Sequence, residues 1–428
     1  MVAIGVFGLA AGLTFACGTF SADDAPATPS ADAGDGDVDL ALDSSAPSDT
    51  QLPDAMPSRC MGFDVDAATQ PPSNVCGGLS KNLIGDPNNC GLCGHVCLDL
   101  PICQGGLCQP FSFVTSDAGS SINLGRVDDT DIYWVDTGRN PNAVFRAPRA
   151  QASSESTAAL LAEVPLNEPV SLAVYSALIA DRIYVKTYFT LYQAPLDGGP
   201  LTVFSAVAPT TGTTPLAASG AHVFQTEPTS GDFVDYAKSD GNLITKQTGI
   251  GGAYDLVVTP DGRYAFVIGR TAVDAGTVDG AAATRGALYR YTIATHDMTL
   301  VATIDAMAAG GSVLAADDDS VYFPEGLAGS ILRLPVDAPL GTVPTVLSKG
   351  DGRQVSYITT DDSRVYWFSS KDPPNFYYWD LLSVDKCGGA DRMHLQAQGT
   401  GSFLPRGLFV QGPHLYLASG DTAYRIAK

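Results

Sequence analysis

The stretch that decides the fold is Asp131-Ile132-Tyr133-Trp134-Val135-Asp136, which is followed after a short gap by Val144-Phe145-Arg146-Ala147-Pro148. The same phrase returns along the chain, with a polar turn, an apolar strand that carries an aromatic residue, and a further strand. Seven marker aromatics stand about 40 to 56 residues apart: Tyr133, Tyr184, Phe224, Phe266, Tyr322, Tyr366 and Tyr416. A short-strand unit that recurs at such a period is typical of a β-propeller.

Each unit divides into four strands. An apolar run comes first, Asp, Gly or Asn residues form a turn, the marker strand follows, a third strand ends near Pro, and an outer strand closes the blade. The sequence therefore predicts an all-β fold, with one propeller of four-stranded antiparallel blades over residues 111–428. Seven blades are expected, or six if one of the weaker copies is spurious. We expect the marker aromatics, together with Trp134 and Trp367, to pack between blades.

The two ends of the array predict how the ring closes. The seventh copy stops after its third strand, at Ala423-Tyr424-Arg425-Ile426, whereas an unassigned strand, Phe111-Ser112-Phe113-Val114-Thr115, precedes the first copy. An open sheet edge exposes unpaired backbone groups. We therefore expect residues 111–115 to supply the outer strand of the last blade.

Three features carry a family resemblance. The phrase 132–136, the later apolar-x-Arg-x-Pro pattern and the Pro260-Asp261-Gly262-Arg263 turn resemble the YWTD and TolB/NHL-like propeller group. The resemblance covers about residues 111–428. It implies a rigid propeller with variable loops, and it names no ligand because one fold serves many functions.

The N-terminus carries an export signal. Residues 2–16 form an unbroken apolar run before Cys17, too short for a comfortable transmembrane helix, so residues 1–17 are interpreted as a signal peptide. Leu13-Thr14-Phe15-Ala16-Cys17 resembles a bacterial lipobox, with departures at Thr14 and Phe15, and the resemblance implies lipid on Cys17. The alternatives are a secreted soluble protein and an uncleaved anchor. We expect an extracytoplasmic protein on the bacterial cell envelope, held at the outer membrane through lipid alone.

Composition describes the next segment and excludes some partners. Residues 18–59 are rich in Asp, Ala, Pro and Ser, with almost no large apolar residue, and are predicted to form a disordered acidic tether. The whole chain has a net charge of −22, with 46 acidic and 24 basic residues. It therefore offers no basic footprint for nucleic acid or anionic lipid. We expect a monomer.

Residues 60–110 form a cysteine-rich module. Its cysteines, with one distant partner, are Cys60, Cys76, Cys90, Cys93, Cys97, Cys103, Cys108 and Cys387. The pattern is similar to short Cys/Gly modules that precede repeat domains in surface proteins of myxobacteria and related bacteria. Disulfides are expected in an oxidising compartment, while zinc binding with His95 and redox thiols are alternatives. The odd number in the module predicts that its unpaired member bridges to Cys387.

Candidate chemistry is sparse. No His-Glu-x-x-His or Gly-x-Ser-x-Gly motif occurs, and no catalytic residue is assigned. His222 and His414 hold equivalent repeat positions and are expected to be polar turn residues rather than a metal pair. Aspartates before the marker strands are expected to cap turns, with calcium binding as the alternative; they are Asp128, Asp129, Asp131, Asp317, Asp318, Asp319, Asp361 and Asp362.

Arginine also recurs within the repeat. It stands on the third strand of four units, at Arg146, Arg290, Arg333 and Arg425. A charged residue that returns at one repeat position is more useful for holding neighbouring blades than for reading a ligand. We therefore predict ion pairs between these arginines and an Asp of the adjacent blade.

Three function classes fit these observations. The leading hypothesis is a non-catalytic binding or scaffolding propeller, with an unknown protein or glycan ligand on one face and no cofactor. The second is a propeller enzyme, a lyase, lactonase or hydrolase, with Ca²⁺ near the central channel. The third is a purely architectural surface protein. Converging carboxylates or histidines at a channel mouth would favour the enzyme, and a neutral or aromatic face would favour binding.

Overall fold

The computed structural model describes one large part of the chain. The chain divides into two units, Met1–Ala55 and Met56–Lys428, and every described residue belongs to the second. The described residues are 75–76, 79–116, 121–139, 141–150, 153–154, 157–164, 177–179, 182–187, 190–206, 215–227, 231–250, 253, 255–270, 286–304, 313–370, 378–398 and 405–428. The predicted signal peptide, Cys17 and the tether lie outside these residues.

The described chain is built almost entirely from strands. A short 3-10 turn spans Gly326–Ala328, and no helix among the described residues is long and apolar enough to cross a membrane. Seven antiparallel sheets follow one another along the chain, each with its four strands in the order of the sequence except the last. The prediction of seven four-stranded blades is confirmed.

The first four blades run from residue 122 to residue 304. From the axis outward, the strands of blade 1 are Ile122–Val127, Asp131–Asp136, Ala143–Pro148 and Ala159–Glu163. Those of blade 2 are Ala177–Ile179, Arg182–Lys186, Thr190–Pro195 and Thr202–Ala206. Those of blade 3 are Leu216–Ser219, His222–Glu227, Asp232–Ala237 and Leu243–Gln247. Those of blade 4 are Asp255–Val258, Tyr264–Arg270, Gly286–Thr292 and Asp297–Ile304.

The last three blades complete the ring. The strands of blade 5 are Ala315–Ala316, Ser320–Glu325, Ser330–Pro335 and Thr345–Ser348. Those of blade 6 are Gln354–Thr360, Arg364–Ser370, Tyr378–Asp385 and Arg392–Gln398. Those of blade 7 are Pro405–Gln411, His414–Ser419, Thr422–Ala427 and, from the start of the array, Phe111–Thr115. The short strands Val75–Cys76, Leu79–Ser80, Cys103–Gln104 and Leu107–Cys108 belong to the cysteine module.

The ring closes as the sequence predicts. Phe111–Thr115 pairs antiparallel with Thr422–Ala427 and becomes the outer strand of blade 7. The two-residue strand Ser153–Ser154 then adds to it in parallel. Closure removes the open edge that the last blade would otherwise expose.

Seven hydrophobic clusters hold the ring, and each is shared by two neighbouring blades. Alternate residues of a strand point to opposite faces of its sheet, so each blade contributes one set to each neighbour. The seven marker aromatics, with Trp134 and Trp367, are at most 3% exposed. They lie in the core between blades.

The arginines join neighbouring blades, but not through aspartates. The side chain of Arg146 donates to the carbonyl of Leu196 in blade 2, at 3.0 Å. Arg290 reaches two carbonyls of blade 5, and Arg333 reaches the Lys386 carbonyl of blade 6 at 2.8 Å. The predicted ion pairs are wrong for these three arginines. The carbonyls that follow each third strand have no strand partner there, and a guanidinium supplies the missing donors.

The fourth arginine, Arg425, follows the same rule and adds an ion pair. It donates to the carbonyl of Arg149 in blade 1 and also binds both carboxylate oxygens of Asp99, at 2.5 and 2.8 Å. Asp99 belongs to the cysteine module. We call the contact of a third-strand arginine with the carbonyls of the next blade the arginine lock. The arginine lock between blades 7 and 1 therefore also binds the cysteine module to the propeller.

The cysteine module is disulfide-bonded. Cys76 pairs with Cys93, Cys90 with Cys103, and Cys97 with Cys108. The Sγ atoms of Cys90, Cys97 and Cys108 lie within 4.8 Å of one another, because two disulfides pack together. Sulfurs in disulfides are not the thiolates that zinc requires, so the zinc alternative does not describe this state of the module.

Candidate functional site

The acidic turns act as predicted, as caps. Asp317 Oδ1 accepts from the amides of Asp319 and Ser320, and Asp361 Oδ1 from those of Ser363 and Arg364. Asp128 caps its own turn in the same way. Such turns satisfy the backbone between two strands. These carboxylates are therefore occupied by the fold and do not converge on a common ion site.

A second layer of contacts connects these turns to the next blade. Tyr322 donates its hydroxyl to Asp317 Oδ2 at 2.8 Å, and Lys386 of blade 6 reaches the same oxygen at 2.5 Å. Asp361 holds Tyr366 and Lys428 in the same arrangement. Burial alone would raise the pKa of Asp361, but the hydrogen bonds from Lys428 and the turn amides lower it to about 2.

The two repeat-equivalent histidines lie in different surroundings. His222 Nδ1 contacts both oxygens of Asp235, at 2.9 and 3.1 Å. His414 Nε2 lies 3.0 Å from an Asp99 oxygen, beside Arg425. They belong to blades 3 and 7, and the structure does not bring them together as a metal pair.

Blade 3 departs from the repeat at two buried positions. In the register of the strands, the marker aromatic lies opposite arginine in blades 1, 4, 5 and 7, but Phe224 lies opposite Asp235. The residue after the marker aromatic is apolar in the other six blades, namely Trp134, Val185, Val267, Phe323, Trp367 and Leu417. In blade 3 it is Gln225. Departures from an otherwise consistent pattern are where functional residues are expected.

Gln225 is part of a polar cluster between blades 2 and 3. Tyr184 and Val223 lie in the hydrophobic core that these blades share. Side chains two residues further along each strand face the same gap. The cluster consists of Lys186, Gln225, Glu227 and Asp232, which are only 2%, 0%, 6% and 5% exposed. We call these four residues the blade 2–3 polar cluster.

Within the described part of the chain, three polar atoms of this cluster have no hydrogen-bond partner. They are Lys186 Nζ and both amide atoms of Gln225. Asp232 is engaged by Lys246 at 2.6 Å. A buried polar group without a partner costs about 1–3 kcal/mol of stability. These unpaired atoms therefore destabilise the fold, and the other six blades carry an apolar side chain at the position of Gln225.

The amine of Lys186 has unusual acid–base properties. Burial lowers the pKa of Lys186 to about 7, although the Glu227 carboxylate acts in the opposite direction. Near neutral pH the amine is therefore present in both protonation states, as a donor and as a neutral amine. With the Gln225 amide, which offers two donors and one acceptor group, the cluster can match a ligand that carries both donors and acceptors.

A second network lies on the other side of blade 3, between blades 3 and 4. Tyr291 donates its hydroxyl to Asp235 Oδ2 at 2.8 Å and contacts His296 Nδ1 at the same distance. Asp235 is fully buried. Burial and this hydrogen bond to Asp235 raise the pKa of Tyr291 above its usual range. His296 Nδ1 also lies 3.7 Å from Asp235 Oδ2, so His222, Tyr291 and His296 all surround this carboxylate.

Sequence reasoning did not single out Gln225, Lys186 or Asp235. The available signal was their place in the repeat: once the seven marker aromatics are superimposed, Gln225 is the one polar residue at its position. The aromatics identify the architecture, and deviations from their context identify the candidate site.

Two solved structures of one lyase support the propeller fold. No protein-family model matches the chain, and no curated protein matches it. Virginiamycin B lyase from Staphylococcus aureus is similar in structure, with a TM-score of 0.52 and 10% identity over 75% of this chain and 98% of the lyase. A catalytically inactive variant of the same lyase with Quinupristin gives 0.50, with 10% identity over 75% and 98%. The WD40 β-propeller domain of Doa1 gives 0.48, with 10% identity over 73% and 95%.

Proposed function

We propose that this protein is a non-catalytic binding propeller of the bacterial cell envelope, and that it binds its ligand at the blade 2–3 polar cluster. The observation that carries the proposal is the Gln225 amide, which is fully buried with neither polar atom paired. A ligand that supplies the missing donors and acceptors removes the free-energy cost of the unpaired amide, and this gain contributes to the affinity for the ligand. A protein or glycan ligand is expected.

The charges of the cluster favour a neutral polar ligand. Lys186 stands beside Glu227, and Lys246 is paired with Asp232. With Lys186 protonated the four charges cancel, so in this state neither a cation nor an anion gains net attraction. Hydroxyl and amide groups, which both donate and accept, fit the Gln225 side chain best.

Display on the envelope belongs to the same proposal. It rests on the apolar run before Cys17, the acidic tether and the resemblance of the repeat to the YWTD and TolB/NHL-like group. Cys17→Ser should release the protein from the membrane fraction or block its processing. An unchanged membrane fraction in the bacterium would contradict lipid anchoring while leaving the binding site untouched.

A ligand screen tests the binding site. The mature chain is screened by thermal shift against neutral mono- and oligosaccharides and short peptides, because any bound ligand stabilises the fold. Each binder is then titrated against Gln225→Leu and Lys186→Met, with Lys349→Met on an exposed loop as the control. We expect at least a tenfold loss of affinity for the first two variants, about 1.4 kcal/mol. Binding that survives both substitutions would place the ligand elsewhere.

One observation favours an enzyme as the second candidate. A lysine whose pKa burial lowers to about 7 can act as a nucleophile towards a carbonyl group. Reductive trapping with propanal and borohydride, followed by peptide mapping, tests this role. Selective alkylation of Lys186 would favour the enzyme, and unmodified Lys186 would favour binding without catalysis.

A further inference from the structure

Blade 6 replaces the repeat arginine with a serine and places two other arginines beside it. Ser383 lies opposite the marker aromatic Tyr366 on one side and opposite Arg392 on the other. Arg364 donates from Nε to Ser383 Oγ at 2.9 Å and from Nη2 to the Ser383 carbonyl at 3.3 Å. One guanidinium group therefore binds Ser383, and the residue that pairs with Ser383 on the outer strand is a second arginine close enough to repel the first, in a chain with a net charge of −22.

His394 completes this group with an unused donor. Ser383 Oγ lies 2.9 Å from His394 Nε2. Because Arg364 can only donate, Ser383 Oγ accepts from it, and we assign the remaining Ser383 O–H to His394 Nε2. The ring proton then lies on Nδ1, which is buried without a partner. His394 is 3% exposed.

Arg392 is equally short of acceptors. Burial and, to a smaller extent, the nearby Arg364 together lower the pKa of Arg392 to about 10, although Tyr366 acts in the other direction. Within the described chain its guanidinium has no ion-pair partner. The nearby carboxylates are engaged elsewhere, since Asp361 holds Lys428 and Asp391 accepts from Ser348 at 2.8 Å.

The cysteine module covers the site from one side. The His95 ring contacts the Cys90 carbonyl at 2.5 Å and hydrogen-bonds to the backbone of Ala427 and Lys428. This is the place that a blade 6 arginine would reach if the repeat were kept. His95 thus makes the contact that the repeat arginine makes in other blades, and the Arg392 guanidinium and the Arg364 Nη1 group, which does not contact Ser383, are left for another purpose.

We propose that Arg364, Arg392 and His394 form a binding site for a small oxyanion of the size of phosphate or sulfate, at the junction of blade 6 and the cysteine module. The unused groups are all donors, which is what an oxyanion requires. A guanidinium group binds two oxygens of such an ion at once. Arg392 is half-buried, so the ion can enter from solvent and still gain from partial desolvation.

Thermal unfolding of the full chain tests the proposal. The midpoint is measured in sodium phosphate, sodium sulfate and sodium chloride at equal ionic strength and pH. Phosphate and sulfate should raise it by about 2 °C or more over chloride at ten times the dissociation constant. Glycerol 3-phosphate distinguishes a phosphate ester from the free ion as the ligand. If glycerol 3-phosphate and inorganic phosphate both bind, the site accepts phosphate esters as well; if inorganic phosphate alone binds, the site is specific for the free ion.

Variants separate the site from general salt effects. Arg392→Gln should weaken phosphate binding at least tenfold, and in chloride it should fold at least as well as the parent because it removes a crowded cation. Arg263→Gln, which changes an exposed arginine of blade 4, should keep the full shift. No shift over chloride, or an equal shift in Arg392→Gln, overturns the proposal.

Discussion

Gln225 of blade 3 occupies the position that Leu417 fills in blade 7, directly after the marker aromatic and fully buried in both. Leu417 packs in the hydrophobic core between blades 6 and 7. Gln225 instead carries an unpaired amide into the gap between blades 2 and 3. The same backbone position thus serves packing in one blade and, in our proposal, ligand binding in another.

Lys186→Met should remove a pH dependence of stability. The pKa of Lys186 is about 7 in the folded chain, below its usual value of 10.5. Between these values the unfolded chain binds more protons, so stability should rise from pH 7 to pH 9, by up to about 1.4 kcal/mol per pH unit. Urea denaturation across this range measures the slope. Lys349→Met should keep the parental slope, and a parental slope in Lys186→Met would show that the amine is protonated in both states.

Phe113→Ala should destabilise the ring as a whole. Phe113 is buried in the strand that closes blade 7. Its ring packs edge-to-face with that of Tyr416, with 6.2 Å between the ring centroids. Loss of a buried phenylalanine costs about 3–5 kcal/mol. Removal of residues 111–116 should be more severe, because blade 7 then loses its outer strand. Val346→Ala, on the half-exposed outer strand of blade 5, serves as the control. If the closing strand of blade 7 unfolds while the melting temperature of blades 2 to 5 stays at the parental value, closure does not stabilise the ring cooperatively.

Arg333→Met tests the arginine lock. Arg333 is 7% exposed and donates to the Lys386 carbonyl of the next blade. The substitution leaves that carbonyl without its donor, so we expect a loss of about 1–3 kcal/mol in the free energy of unfolding. Lys349→Met, at an exposed position after the outer strand of blade 5, should cost less than about 1 kcal/mol. Equal losses in the two variants would mean that the lock contributes nothing specific.

Cys387 should prove to be bonded to Cys60. Cys387 is disulfide-bonded, and six module cysteines pair among themselves. Of the nine cysteines, only Cys17 and Cys60 remain as partners. Non-reducing peptide mapping of the secreted protein decides between them. A Cys60–Cys387 peptide pair supports a covalent clamp between the cysteine module and blade 6; an alkylatable Cys387 removes it.

The repeat made most of the fold predictable. Marker aromatics such as Tyr133 give the number of blades, and the unassigned strand 111–115 gives the closure, because both follow from one unit that must bury its faces and pair its edges. The acidic turns were predictable for the same reason, since Asp317 and Asp361 cap local backbone groups.

The contacts between blades were less accessible from sequence. The arginine of one blade binds carbonyls of the next, as Arg290 does with Val336, and a carbonyl leaves no signature in the residue types. The oxyanion site was hidden because its members lie on the second and fourth strands of one blade, with Arg364 and Arg392 28 residues apart along the chain. Only pairing across the sheet brings them together.

The most direct test of a ligand site at the blade 2–3 polar cluster is the free energy of unfolding of Gln225→Leu, with Leu417→Gln as the reverse substitution in blade 7. Leucine has nearly the volume of glutamine and restores the apolar residue of the other blades. We predict that Gln225→Leu stabilises the chain by about 1–3 kcal/mol and that Leu417→Gln destabilises it by at least as much. A loss of stability in Gln225→Leu would show that the amide is satisfied within the protein, and would contradict a ligand site at the blade 2–3 polar cluster.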